Sequence, residues 1–317
     1  MSVPQTIGLY FHGEDVIPSP PSKALFHVIP VPYEESVSYG TGTKDGPEAI
    51  LAASAQLELY DGKRIPAEYG IYTAPPVSCK GNCTEVLEQI ETAVTRCLDL
   101  QGIPVVLGGE HTVTSGVIAA LRHAYGEFGV IQFDAHADLR DSFEGSRYSH
   151  ACVMRRIAEQ GIPILQLGTR SYSLEEQRYR EQQRIPYFDA EEIWKRGIEG
   201  IELPADFPEK IFITFDVDGL DSSIMPATGT PVPGGLSWYQ AMWLIEKIMN
   251  SRICIGFDVV EFAPIPSLHG TAFTAAQLTY NLMGYLVGSP LNRQFWRPTK
   301  REERLFERTN PPAIAPG

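Results

Sequence analysis

Short apolar runs recur along the chain, and each is bounded by glycine, proline or polar residues. They cover residues 25–29, 103–107, 129–133, 164–167, 211–215 and 253–257. Because these runs are almost continuously apolar rather than alternating, they predict strands of a parallel sheet that is covered on both faces. We expect the first strand to stop before Pro30, since proline cannot donate to the ladder of a central strand.

Helical patterns lie between the apolar runs. They cover about residues 45–59, 84–100, 112–124, 149–160, 174–183, 237–250 and 271–286. In the first of these, Pro47 stands in the opening turn, where its missing N–H removes no helical hydrogen bond. The alternation of strands and helices predicts one α/β domain over residues 1–317. We expect a loop-rich N-terminal segment, to about residue 24, and a C-terminal tail from about residue 291.

The charge and the cysteines narrow the class of protein. The net charge is -13, which argues against nucleic acid or an anionic membrane as partner and suits a small cationic substrate. Five scattered cysteines fit a reducing compartment better than a disulfide framework. The chain has no signal-peptide pattern and no apolar run long enough for a membrane helix, so we expect a cytoplasmic protein.

Polar clusters follow four of the predicted strands. They are Glu110-His111, Asp134-Ala135-His136-Ala137-Asp138, Asp216-Val217-Asp218 and Asp258-Val259-Val260-Glu261. Open α/β sheets bind ligands outside the carboxyl ends of their strands. Four separate segments of the chain therefore point to one site.

Two of these clusters have the composition of a metal centre. Within residues 134–138 and 216–218 the polar side chains are spaced by two, so in an extended chain they share one face. Grouped carboxylates in a low-dielectric site need a compensating cation. Oxygen-rich ligand sets suit manganese or magnesium, imidazoles favour manganese, and a pair of ions holding a hydroxide favours hydrolysis. The candidate ligands are His111, Asp134, His136, Asp138, Asp216 and Asp218.

The ordered set of motifs resembles the ureohydrolase family of arginases and agmatinases. The resemblance covers nearly the whole chain and implies a three-layer α/β/α domain on a mainly parallel sheet. It also implies a dimanganese centre that hydrolyses a guanidinium group to urea and an amine, in a homo-oligomer that is a trimer or a hexamer. The matching motifs are Gly108-Gly109-Glu110-His111, Asp134-Ala135-His136-Ala137-Asp138, Ser149-His150-Ala151, Phe215-Asp216-Val217-Asp218-Gly219-Leu220-Asp221, Gly229-Thr230-Pro231 through Gly234-Gly235, and Asp258-Val259-Val260-Glu261.

The same resemblance implies a role for each site residue. Asp138 would accept the proton of a hydroxide that bridges the two ions. Glu261 would pair with the planar guanidinium, and His150 would protonate the leaving amine. Among the ligands, His111 and Asp138 would hold one manganese ion, His136 and Asp218 the other, and Asp134 and Asp216 would bridge the pair.

The expected substrate is agmatine, cleaved to putrescine and urea. Two segments, at residues 138–140 and 170–173, depart from the motifs with which arginases recognise the amino-acid end of arginine, so arginine is disfavoured. Residues 140–151 look more like bacterial and archaeal agmatinases. Other guanidino compounds stay open, namely 4-guanidinobutyrate, N1-aminopropylagmatine and guanidine.

Two residues bear on that choice. If Arg140 faced the pocket it would repel an amine and favour a guanidino acid, whereas an ion pair with Asp141 or Glu144 would neutralise it. Val232 stands where relatives often have glutamate, which removes a possible acidic contact.

Two other classes of function compete with a ureohydrolase. A deacetylase-like metallohydrolase or a dinuclear phosphoesterase could use the same metal ligands, but it would have no use for Glu261. A non-catalytic relative could keep the metal site, but the presence of all six ligands together with His150 and Glu261 argues against loss of activity.

Overall fold

A computed structural model describes residues 9–13 and 16–296, and within them all strands belong to one sheet. Every strand pair in this sheet is parallel. The strands are β1 (Phe26–Val31), β2 (Ile71–Thr73), β3 (Ile103–Gly108), β4 (Gly129–Phe133), β5 (Ile164–Leu167), β6 (Tyr187–Phe188), β7 (Lys210–Asp216) and β8 (Ile253–Val260). Their order across the sheet is β2-β1-β3-β8-β7-β4-β5-β6.

Helices cover both faces of the sheet. They are α1 (Gly46–Ser54), α2 (Cys83–Asp99), α3 (Thr114–Tyr125), α4 (Val153–Ala158), α5 (Leu174–Gln182), α6 (Ala190–Arg196), α7 (Trp238–Ser251), α8 (His269–Gly288) and α9 (Pro290–Phe295). One core packs α1, α7 and α8 against the sheet, and a second core packs α2, α3 and α4 against its other face. The predicted three-layer α/β/α domain is confirmed, and the sheet is wholly parallel rather than mainly so.

Short 3-10 helices lie between several of these elements, and some of them carry residues of the site. Those that do are His111–Val113, His150–Cys152 and Val217–Gly219. The helices predicted at residues 112–124 and 149–160 therefore begin as 3-10 turns. The first predicted helix ends at Ser54 rather than near residue 59.

The expected end of the first strand was wrong. β1 continues through Pro30 to Val31, although it lies between β2 and β3. Pairing with β2 ends at Val28, and beyond it the Pro30 carbonyl accepts a loop N–H from Val77 at 2.9 Å. Because the strand on that side of β1 has already ended, the N–H that Pro30 lacks has no ladder partner to lose.

The predicted C-terminal tail begins with structure that the sequence did not predict. Ser289 caps α9, and the side chain of Asn292 is fully buried. Asn292 accepts the N–H of Cys254 at 2.7 Å and donates to the Met249 carbonyl at 2.7 Å. Residues 297–317 of the tail lie outside the described residues. Two short strands, β2 and β6, and helix α6 were also missed.

Among the described residues, no helix combines the length and the apolar composition that crossing a bilayer requires.

Candidate active site

Four neighbouring strands, in the order β3-β8-β7-β4, bring the polar clusters together at their carboxyl ends. His111 follows β3, Glu261 follows β8, Asp216 ends β7 and Asp134 follows β4. The approach of β3 to the loop after β1 needs glycine, because a Cβ at Gly109 would overlap the carbonyl oxygen of Tyr33. The expected convergence of four segments is therefore what the fold produces.

One group of side chains surrounds the ring of His111, which is buried. Its Nδ1 lies 2.9 Å from Asp138 Oδ2, 3.2 Å from Asp134 Oδ2 and 3.7 Å from Asp216 Oδ2. His111, Asp134 and Asp216 each offer one ligand atom to a common position. This group has the composition of one metal site.

A second group surrounds His136 and shares Asp134 with the first. His136 Nδ1 lies 3.0 Å from Asp218 Oδ2 and 3.6 Å from Asp134 Oδ1. Asp134, His136 and Asp218 offer ligand atoms to a second position. The two oxygens of Asp134 therefore face different imidazoles, which suits a carboxylate that bridges two ions.

The surroundings of the two ring nitrogens of His111 suit a metal ligand. Its Nε2 lies 2.8 Å from the hydroxyl oxygen of Thr214, whose partner in register on β8 is the buried Asp258. A ring nitrogen that ligates a metal carries no proton, so with Nδ1 as the ligand Nε2 is the nitrogen that donates to Thr214 Oγ1. His111 Nδ1 is buried and makes no hydrogen bond of acceptable geometry, as expected of a nitrogen that ligates a metal.

The electrostatics of the cluster also call for cations. Burial, together with the charges of Asp218 and Asp134, raises the pKa of Asp216 well above its usual range. Burial and the charge of Asp134 raise the pKa of Asp138 to about 7. These carboxylates cannot all stay ionised at neutral pH without positive charge beside them. Two divalent ions would balance the charge of the four carboxylates among the candidate ligands.

Asp138 and Glu261 both have left-handed backbones, with φ of 52° and 62°. This conformation is uncommon for residues other than glycine and clusters at functional sites. The chain beyond Phe133 is thus not the extended strand on which the spacing of residues 134–138 was interpreted, although the three side chains do converge. The turn at Glu261 is held by its N–H, which donates to the Gly109 carbonyl at 2.9 Å.

Glu261 lies beside the metal-ligand candidates and lines the same cavity as Asp138. Its Oε1 accepts the backbone N–H of His111 at 2.6 Å. That contact fixes one carboxylate oxygen and leaves Oε2 for a ligand. Burial is the main reason why the pKa of Glu261 rises to about 8, so a cation bound there would stabilise its charged form.

His150 lines the same cavity and begins the 3-10 helix His150–Cys152. Its ring packs edge-on against Phe143, with 5.7 Å between ring centroids. Its Nδ1 lies 3.1 Å from Ser36 Oγ and 3.2 Å from Ser149 Oγ. Burial lowers the pKa of His150, against an opposing effect of the Glu110 charge.

The cavity between these groups has a volume of about 330 Å³. Arg140 lines it, but the partners considered for Arg140 in the sequence were wrong. Its Nε lies 3.8 Å from Glu176 Oε2, and its guanidinium carbon lies 5.3 Å from the centroid of the Phe143 ring. Asp141 pairs instead with Arg156 at 2.8 Å. The positive charge of Arg140 is therefore offset, but by a residue of α5.

Val232 contributes its backbone rather than its side chain. Its carbonyl oxygen accepts two N–H groups of Arg170, at 2.8 and 3.2 Å. The nearby wall of the cavity is formed by Thr228, Gly229 and Thr230.

Several residues that support the site had no role assigned from the sequence. Glu110 and Asp258 stand in quoted motifs, but neither was given a function. Thr214 and Asp258 lie on neighbouring strands and are paired in register, which only the strand order reveals. Ser36 lies in a loop with no motif and gave no signal.

Comparisons with known proteins agree with this geometry. The sequence model described as "Arginase family" matches residues 24–284. An N(1)-aminopropylagmatine ureohydrolase of Synechocystis sp. is 39% identical over 272 residues, which cover 81% of this chain and 88% of that protein. An agmatinase of Pyrococcus horikoshii is 33% identical over 267 residues, covering 82% and 92%. The structure of the agmatine ureohydrolase of Thermoplasma volcanium superposes with a TM-score of 0.78 at 30% identity, covering 87% of this chain and 94% of that one.

Proposed function

The chain belongs to the arginase family of metal-dependent ureohydrolases, and we propose that it hydrolyses the guanidinium group of N1-aminopropylagmatine to urea and the corresponding triamine. The relative at 39% identity bears this activity in its name, whereas the agmatinase is 33% identical. The comparisons thus favour this alternative over agmatine, the substrate expected from the sequence. Agmatine is the second candidate.

The observation that carries the proposal is the position of Glu261. A carboxylate oxygen of Glu261 is free on the wall of a cavity that also contains Asp138 and the candidate metal ligands. A planar guanidinium pairs well with a carboxylate, and such a pair would hold its carbon beside the metal centre. A deacetylase or a phosphoesterase has no substrate group that needs this carboxylate.

We propose manganese as the metal, because the ligands are four carboxylates and two imidazoles with no sulfur. His111 and Asp138 would hold one ion, His136 and Asp218 the other, and Asp134 and Asp216 would be shared. When bound, two divalent cations supply Lewis acidity and lower the pKa of water, so that a nucleophile is available near neutral pH.

The side chains of the chain supply the proton transfers. Asp138 would accept a proton from the attacking water, which is supported by the position of its carboxylate beside His111 and on the cavity wall. His150, which lines the same cavity, would give a proton to the leaving nitrogen. General acid–base catalysis of this kind is worth about 10²–10⁴-fold in rate.

The cavity and the charge of the protein suit a cationic substrate. Arg140 would repel an ammonium group, but Glu176 lies beside it and offsets its charge. The net charge of -13 favours the approach of cations. The charge of Arg140 therefore does not keep a positively charged polyamine tail out of the cavity.

The test is a urea-release assay with manganese-loaded protein. The panel is N1-aminopropylagmatine, agmatine, 4-guanidinobutyrate, arginine and guanidine. We expect kcat/KM to be highest for N1-aminopropylagmatine. A higher value for agmatine would make agmatine the substrate, and the absence of urea with every compound would refute the proposal.

A further inference from the structure

Glu110 is a fully buried carboxylate that the mechanism above does not use. Its Oε2 accepts the backbone N–H groups of Glu35 and Ser36, each at 2.6 Å. Its Oε1 accepts the hydroxyl of Ser36 at 2.8 Å and the hydroxyl of Thr112 at 2.6 Å. Four donors thus converge on Glu110, and two of them come from one residue of the loop after β1.

Ser36 connects Glu110 to His150. A serine hydroxyl has one hydrogen to donate and two lone pairs to accept with. The hydrogen of Ser36 Oγ goes to Glu110 Oε1. The backbone N–H of His150 donates to Ser36 Oγ at 3.0 Å, and His150 Nδ1 lies 3.1 Å from the same oxygen. Both lone pairs of Ser36 Oγ therefore face His150.

This arrangement favours a proton on Nδ1 of His150. Because the only hydroxyl hydrogen of Ser36 is committed to Glu110, an unprotonated Nδ1 would place two lone pairs 3.1 Å apart. A protonated Nδ1 instead donates a hydrogen bond to Ser36 Oγ. Ser149 Oγ, at 3.2 Å, can accept the same N–H, but its hydroxyl can equally donate to an unprotonated Nδ1, so the contact that selects the tautomer is the one with Ser36. Nε2 is then the nitrogen that exchanges protons with a ligand in the cavity.

We propose that Glu110 and Ser36 are positioning residues that fix the Nδ1–H tautomer of His150 and direct its Nε2 to the leaving nitrogen of the substrate. This inference rests on the proposed function, in which His150 is the general acid. In that step the imidazolium gives its Nε2 proton to the leaving nitrogen while the C–N bond breaks and its electron pair stays on nitrogen. The neutral ring that remains carries its proton on Nδ1, and this N–H donates a hydrogen bond to Ser36 Oγ.

The inference can be tested through the leaving group. An amine must be protonated as it leaves, whereas a thiolate, whose conjugate acid has a pKa of roughly 8.5, leaves without a general acid. An S-alkyl isothiourea with the same polyamine tail tests this difference, because water attack on its carbon releases urea and a thiol. A defect in His150 should therefore slow the guanidinium substrate and spare the isothiourea.

The first variant is Ser36→Ala, which removes the hydroxyl and keeps the backbone N–H that donates to Glu110. For the guanidinium substrate we expect kcat to fall about 10–100-fold with KM changed less than about threefold, and for the isothiourea we expect kcat to fall less than about threefold. Ser36→Thr keeps the hydroxyl and should restore most of the activity. Equal losses with the two substrates would overturn the inference.

The second variant is Glu110→Gln. Its amide nitrogen, in place of Oε1, would donate to Ser36 Oγ and turn the hydroxyl of Ser36 toward His150 Nδ1. The neutral ring would then carry its proton on Nε2, and the same selective loss is expected. Because Glu110 is adjacent to His111, the metal content of each variant must also be measured. We expect it to equal that of the unmodified protein.

The matched control is Thr43→Val. Thr43 is buried and donates its hydroxyl to Glu34 Oε2 at 3.0 Å, so it also ties a hydroxyl to a carboxylate in the loop after β1, but it has no contact with His150. We expect unchanged kcat with both substrates.

A further variant, His150→Gln, separates the catalytic role of His150 from the positioning role of Ser36 and Glu110. If His150→Gln leaves the guanidinium reaction unchanged, the role of His150 in the proposed function fails. If His150→Gln lowers kcat and neither Ser36→Ala nor Glu110→Gln does, only the positioning role fails.

Discussion

Removing the hydroxyl of Thr214 should weaken one of the two proposed metal sites. Thr214 is fully buried on β7, and its Oγ1 lies 2.8 Å from His111 Nε2. Its partner in register on β8 is Asp258, whose Oδ2 accepts the hydroxyl of Thr114 at 2.8 Å. Thr214→Val keeps the shape of the side chain but removes the acceptor that fixes the ring proton of His111 on Nε2.

The size of the effect follows from the burial of His111. An N–H left without an acceptor in a buried site costs about 1–3 kcal/mol. The ring can avoid that cost by moving its proton to Nδ1, where Asp138 Oδ2 at 2.9 Å would accept it, but this nitrogen is then lost as a ligand. Changes of this kind lower metal affinity about 10–100-fold, or roughly 1.4–2.7 kcal/mol. The two ranges overlap, so the loss of one acceptor is large enough to account for the expected change in affinity.

The assay is a titration of metal-free protein with manganese in a metal buffer, followed by measurement of bound metal per chain. We expect one of two ions to bind about 10–100-fold more weakly and the other to bind almost normally. Thr279→Val is the control, since Thr279 is equally buried but its hydroxyl donates to the Ala275 carbonyl within α8. Normal binding of both ions by a folded Thr214→Val variant, or equal weakening in the control, would refute the reasoning.

Four further predictions test other parts of the site and the fold. Asp138→Asn should lower kcat at least about 10²-fold in a protein that still folds, and an active, metal-replete variant would contradict its role. Glu261→Gln should raise KM for the guanidinium substrate in the urea assay, and unchanged kinetics would count against the pairing. Arg140→Met leaves Glu176 unpaired beside the cavity, so KM for a polyamine substrate should fall by up to about fivefold, whereas a rise in KM would show that Arg140 binds substrate. Asn292→Ala removes three hydrogen bonds to the backbone of Cys254, Met249 and Arg252 and should lower the free energy of unfolding by about 2–4 kcal/mol in a denaturant titration; a change under about 0.5 kcal/mol would show that α9 is not held by this side chain.

The metal-ligand candidates could be predicted because their position depends on simple rules. Each cluster follows an apolar run, and the carboxyl ends of parallel strands meet at one edge. What the sequence could not supply was the strand order, which sets Thr214 beside Asp258 and places the ends of β3, β8, β7 and β4 next to one another. The left-handed turn at Asp138 was also missed, since nothing but tertiary contacts imposes that conformation on an aspartate.

Glu176 shows why the part of the cavity that would choose the substrate was harder to predict than the metal ligands. With Ser173 it forms the capping box at the start of α5, and this local pattern is a sufficient reason for a glutamate there. In the folded chain the same carboxylate also accepts the N–H of Leu139 at 3.1 Å and lies beside Arg140. It thereby fixes the backbone directly after Asp138 and offsets the one positive charge considered a barrier to a cationic substrate. The capping box accounts for a glutamate at this position, and only the fold, which brings residues 139 and 176 together, gives it a second role beside the cavity.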